Sequence, residues 1–111
     1  MATVVNDRAL AGAGQPIKSI YADEADFQDL LKYFVEVLPE RQLELQAGLE
    51  EGDIYLLKSV AHQLKGAGGG YGFPGLTERA QHLEMMCKME NHVEIPESLQ
   101  ALVSYMEQIC R

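Results

Sequence analysis

His62 is the side chain most able to do chemistry, because of what surrounds it in the sequence. It lies in the run Ala61-His62-Gln63-Leu64-Lys65-Gly66-Ala67-Gly68-Gly69-Gly70-Tyr71-Gly72. Ile54, Leu57, Ala61 and Leu64 recur at helical spacing and form one apolar stripe. At about 100° per residue, His62 points away from that stripe, toward solvent. Lys58 lies one turn before it and Lys65 one turn after, on the same side of the helix. Gly66 and Gly69 follow on that side at i+4 and i+7. An exposed imidazole is therefore bracketed by two ammonium groups and followed by turns stripped of side chains. Glycine in a helix costs about 1 kcal/mol relative to alanine, so its accumulation here needs a reason. Close approach of another molecule to the imidazole is such a reason. A neutral imidazole nitrogen is a good nucleophile near neutral pH, since its unperturbed pKa is about 6.5.

The elements that must position His62 read as helices. Phe27, Leu30, Leu31, Phe34 and Leu38 make an apolar stripe, which Leu45 and Leu49 rejoin. This predicts one long helix from about 24 to 51, kinked at Pro39, with two shorter helices as the alternative. Gly52 can close it and Asp53 can cap the next, which runs from about 53 to 70. Phe73-Pro74-Gly75 predicts a turn. Leu76, Ala80, Leu83, Met86 and Cys87 carry a third helix, ending near Glu90. After a loop, Pro96 suits the first position of a last helix bearing Leu99, Leu102, Val103, Met106, Ile109 and Cys110. No useful stretch alternates as a strand would. The expected fold is all-α: an antiparallel up-down four-helix bundle with an N-terminal extension. Residues 1–15 are expected to be a mobile arm, and residues 16–111 the bundle, with 16–22 extended across one end.

Composition narrows the functions. The chain has 111 residues, 47% of them hydrophobic, and a net charge of −8. One modest core fits this length. The charge opposes nucleic-acid phosphates. No apolar run approaches the roughly 20 residues of a membrane span, and no signal-like run opens the chain, so a cytoplasmic location is expected. Cys87 and Cys110 fall on apolar faces and read as reduced core residues. His82 and His92 lack ligand partners and read as surface or boundary residues, leaving no metal site. Met85, Met86 and Met89 read as core and core edge.

The motif His62-x-x-Lys65-Gly66 followed by Gly72, within this four-helix pattern, closely resembles the histidine-containing phosphotransfer (HPt) domain. The resemblance covers roughly residues 24–110 and extends to Leu83-Glu84. It implies a phosphorelay carrier, not an enzyme with its own kinase site. His62 would accept a phosphoryl group from a response-regulator aspartate or a sensor kinase and pass it to another such aspartate. Carried over, Lys65 is the nearby cation, Gly66 the clearance residue and Gly72 the close-packing glycine. Glu84 matches a position that hydrogen-bonds the histidine ring. Lys58 and Gly69 would border the phosphate. Partners implied are response-regulator receiver domains and a sensor or hybrid histidine kinase, met by a monomer. No cofactor is implied. Gly68, Gly69 and Gly70 depart from the Ser and Ala frequent in the family.

Overall fold

The computed structural model describes residues 15–109. The expected arm at 1–15, apart from Gln15, and Cys110 lie outside the described residues. Four helices follow a 3-10 turn at Ala25–Phe27: α1 (Gln28–Glu51), α2 (Ile54–Tyr71), α3 (Pro74–Lys88) and α4 (Glu94–Gln108). They enclose one core, with Leu31, Phe34, Leu38 and Leu45 from α1 meeting Leu57, Leu64, Leu76, Leu83, Leu99 and Leu102. Among the described residues no helix is long and apolar enough to cross a membrane.

Neighbouring helices run in opposite directions. Gly48, late in α1, packs on Leu57, early in α2, whereas Phe34, early in α1, stacks on Tyr71, the last residue of α2, at 4.4 Å. The Thr77 hydroxyl of α3 donates to the Lys65 carbonyl of α2 at 2.9 Å. Farther along, Arg79 of α3 lies over the Tyr105 ring near the end of α4, and His82 meets Ser98 near its start. The connections are short, two residues between α1 and α2 and between α2 and α3 and five between α3 and α4, as antiparallel neighbours require.

Local expectations hold in some places and change in others. Helix α1 runs unbroken through Pro39, so the single long helix holds and the two-helix alternative does not. Proline removes one backbone donor, and Pro39 itself is exposed. Leu38 and Leu45, on either side of it, are both buried in the core. Leu30 was expected on the buried stripe and is exposed, because Leu31 and Phe34 define the inward direction. Pro74 is the first residue of α3, so the predicted turn contracts to Gly72-Phe73 and Gly75 is helical. Helix α3 ends at Lys88, two residues before the expected end at Glu90. Pro96 is the third residue of α4, not the first. Its missing N–H is harmless there too, since the first-turn donors have no intrahelical acceptor. Asp53 caps α2 as expected, its carboxylate accepting from Leu56 N–H at 3.0 Å.

The N-terminal segment closes one end of the bundle. Ile17 bridges Ile109, and its N–H donates to Gln108 at 2.8 Å. The Ser19 hydroxyl donates to the Tyr71 carbonyl at 2.6 Å, and Ile20 N–H donates to Gly72 at 2.9 Å. The segment is extended only as far as Ser19 and then turns, with Ala22 N–H bonding back to Ser19. Gly72 is held at φ +83, with Ser19, Tyr21 and Ile20 where a Cβ would go. Glycine alone suits both demands.

Gly68 sets the spacing of α2 and α3. A Cβ there would lie 2.7 Å from the backbone nitrogen of Thr77 and 3.0 Å from the Phe73 carbonyl. Gly70 has nothing within 4 Å of that position. Gly68→Ala should therefore destabilise by about 1–3 kcal/mol through overpacking, against its better helix propensity. Gly70→Ala should stabilise by up to about 1 kcal/mol. Urea unfolding midpoints of the two variants test this; a Gly68→Ala protein as stable as Gly70→Ala would contradict it.

Candidate functional site

Three side chains from two helices converge on one carboxylate. Helix α2 buries Ala61 and Leu64 and so turns His62 outward, with 67% of its side chain exposed. Helix α3 places Glu84 opposite, between the buried residues Leu83 and Met86. The Glu84 side chain is only 7% exposed. Glu84 is not on the apolar stripe that the sequence shows for this helix, and the packing of α3 against α2 buries it.

A buried carboxylate is costly unless its oxygens are matched by donors. Here His62 Nδ1 lies 2.8 Å from Glu84 Oε2. Lys65 Nζ lies 2.8 Å from Oε1. Lys88 Nζ, one turn along α3, lies 3.8 Å from Oε2. The Lys65 hydrogen bond holds the Glu84 carboxyl below its ordinary value of 4.5, against the upward push of burial, with the His62 bond and the charges of Lys65 and Lys88 adding to it. Glu84 is therefore ionised near neutral pH and can only accept. The hydrogen of a neutral His62 ring must then sit on Nδ1, which leaves the Nε2 lone pair directed outward.

The remaining sequence candidates distribute around this pair. Lys65, the nearby cation of the resemblance, has its ammonium on Glu84. Lys58 holds its ammonium 5.7 Å from the centre of the Tyr55 ring. Gly66 and Gly69 are exposed, and a Cβ at either would meet nothing within 4 Å, so the surface beside His62 is bare. A cleft of about 350 Å³ opens on the other side, lined by Tyr55, Lys58, Ser59, His62, Glu84 and Lys88 among others. Lys88 was not singled out in the sequence; its i+4 spacing from Glu84 was the available signal.

Other candidates fall elsewhere. Tyr71 is half-buried against Phe34. Met86 is buried, but Met85 and Met89 are exposed rather than core. His82 is exposed and bonds to the buried Ser98 hydroxyl at 2.8 Å, and His92 is exposed. Cys87 is buried, and burial pushes its thiol up. Among the described residues no group of three or more His, Cys, Asp and Glu side chains is arranged to hold a metal.

The lowered Glu84 pKa has a defined sign for stability. Its contribution is present above the ordinary carboxylate value and is lost as pH falls through the folded value. Glu84→Gln should be less stable than the parent by about 1–3 kcal/mol near pH 7, and the gap should close as pH falls well below 4.5. Urea denaturation at several pH values checks this; a gap of equal size at pH 7 and pH 3 would contradict it.

A protein-family model described as the Hpt domain matches residues 29–111. No curated protein and no solved structure matches the chain. The matched span takes in nearly all of α1 and the whole of the other three helices, with His62, Lys65, Glu84 and Lys88 inside it. On that match, over most of its length, the chain belongs to the Hpt domain family, whose members take part in histidine phosphotransfer in two-component signalling.

Proposed function

We propose that the protein is a phosphorelay carrier in which His62 accepts a phosphoryl group from a response-regulator aspartate or a sensor kinase and passes it to another response-regulator aspartate. The observation that carries this reading is the exposed imidazole anchored through Nδ1 to a buried, ionised Glu84. In the forward step the Nε2 lone pair attacks phosphorus in line. The P–O bond to the aspartyl group breaks, and the aspartate leaves as a carboxylate. The Nδ1 proton stays in place, so the ring gains positive charge as the N–P bond forms. Glu84 stabilises that charge through an existing hydrogen bond. The return step runs the same path to a different aspartate. Little covalent chemistry falls to this chain; position and charge dominate phosphoryl transfer.

Lys65 acts through Glu84 by holding its other oxygen. Gly66 and Gly69 keep the approach to Nε2 open for a receiver domain. The reading implies a cytoplasmic monomer that meets receiver domains and a sensor or hybrid kinase in turn, with residues 16–111 as the functional unit.

Two outcomes are expected. His62→Gln should fold normally yet take up no acid-labile, base-stable phosphate from a phosphorylated receiver domain, while His82→Gln and His92→Gln label normally. Equal labelling of His62→Gln would end the carrier reading. Gly66→Gln should slow transfer from the receiver by about tenfold or more, since a misplacement of about 1 Å can cost a hundredfold, while leaving the bundle at least as stable. Stopped-flow transfer kinetics beside thermal melts would show this, and unchanged kinetics would remove clearance as the role of Gly66.

A further inference from the structure

Three ammonium groups surround His62, and they are not equally free. Lys65 is 32% exposed, and its Nζ sits 2.8 Å from Glu84 Oε1, the short distance of a charge-assisted hydrogen bond. Removing it would leave the buried carboxylate short of a donor, so it is committed. Lys58 is half-buried and lies over the Tyr55 ring. Lys88 is 61% exposed and stands 3.8 Å from Glu84 Oε2, beyond hydrogen-bonding range. That same oxygen already accepts the His62 Nδ1–H at 2.8 Å. Glu84 therefore loses little if Lys88 swings away.

The cleft beside His62 lies on the Lys88 side. Its lining includes Lys58 and Lys88, one from each helix, with Tyr55 and Ser59, but not Lys65. A phosphoryl group on Nε2 would bring up to two negative charges close to the buried Glu84 carboxylate. The ring itself supplies one positive charge, already directed to Glu84. A further mobile cation is needed between the two anions, and Lys88 is the one placed to supply it.

Resting on the carrier reading of His62, we propose that Lys88, rather than Lys65, is the principal cation for the phosphorylated histidine. It leaves Oε2 of Glu84 and pairs with the phosphoryl oxygens in the cleft between α2 and α3. Lys65 stays on Oε1 and keeps Glu84 charged and in place. The division assigns the two lysines separate tasks: Lys65 positions the carboxylate that orients the ring, and Lys88 responds to the group the ring carries.

Phosphoramidate, a small donor that needs no docking surface, tests this in the full-length protein. Its P–N bond breaks, ammonia leaves, and phosphohistidine forms on the protein. Phosphorus-31 NMR then follows the second ionisation of the phosphoryl group against pH in the parent and in Lys88→Gln, Lys65→Gln and Lys58→Gln. A neighbouring cation favours the dianion, so its removal raises that pKa. Lys88→Gln should raise it by roughly half a unit or more, and each of the other two by less than half as much. A larger displacement in Lys65→Gln or Lys58→Gln than in Lys88→Gln, or none in Lys88→Gln, would overturn the assignment while leaving His62 as carrier. Absence of any phosphohistidine signal in the parent would overturn the carrier reading, and this assignment with it.

Discussion

The site depends on one ionised carboxylate kept out of water. Glu84 is buried among apolar neighbours, a position that favours the neutral acid. Lys65 reverses that preference by a direct hydrogen bond. The consequence passes outward to His62, because an ionised carboxylate accepts and cannot donate. The imidazole is then fixed both in tautomer and in orientation, with one nitrogen spent on the bundle and the other facing solvent. An exposed histidine without such an anchor would divide its time between two tautomers and several rotamers.

The rest of the fold serves that short contact. His62 and Glu84 lie on different helices, so their separation is set by how closely α2 and α3 pack. Gly68 and Thr77 fix that distance, and the Thr77 hydroxyl ties α3 to the Lys65 carbonyl at the same level. The end of α2 is fixed in turn by Gly72 in its left-handed conformation and by the Ser19 and Ile20 hydrogen bonds. The N-terminal segment is thus part of the scaffold holding the histidine helix. Beyond these ties the bundle rests on ordinary burial of leucines and on the stacked rings of Phe34, Tyr71 and Phe73.

Much of this was legible in the residue order. Apolar periodicity located all four helices, and the Gly52-Asp53 junction appeared where a closing glycine and a capping aspartate stand together. The outward direction of His62 followed from the stripe opposite it. The single helix through Pro39 was legible as well, because Leu45 rejoins beyond it the stripe that Phe34 and Leu38 begin. Glu84 entered through the family resemblance and not through periodicity, which left it off the apolar stripe. What could not be read were quantities fixed by contact between helices. The burial of Glu84, the part played by Gly68 and the proximity of Lys88 all depend on the spacing of α2 and α3, which no single helix encodes. The exposure of Leu30, Met85 and Met89 shows the same limit, since periodicity defines a stripe but not its width.

The central claim is that Glu84 holds the hydrogen of a neutral His62 on Nδ1 and leaves Nε2 as the reactive atom. Nitrogen-15 NMR of the histidine ring reads this directly, first in the free protein and then after phosphorylation. The account predicts a neutral His62 with its hydrogen on Nδ1, and a nitrogen–phosphorus coupling at Nε2 once the group is attached. A neutral ring carrying its hydrogen on Nε2, or phosphorus bonded to Nδ1, would contradict it.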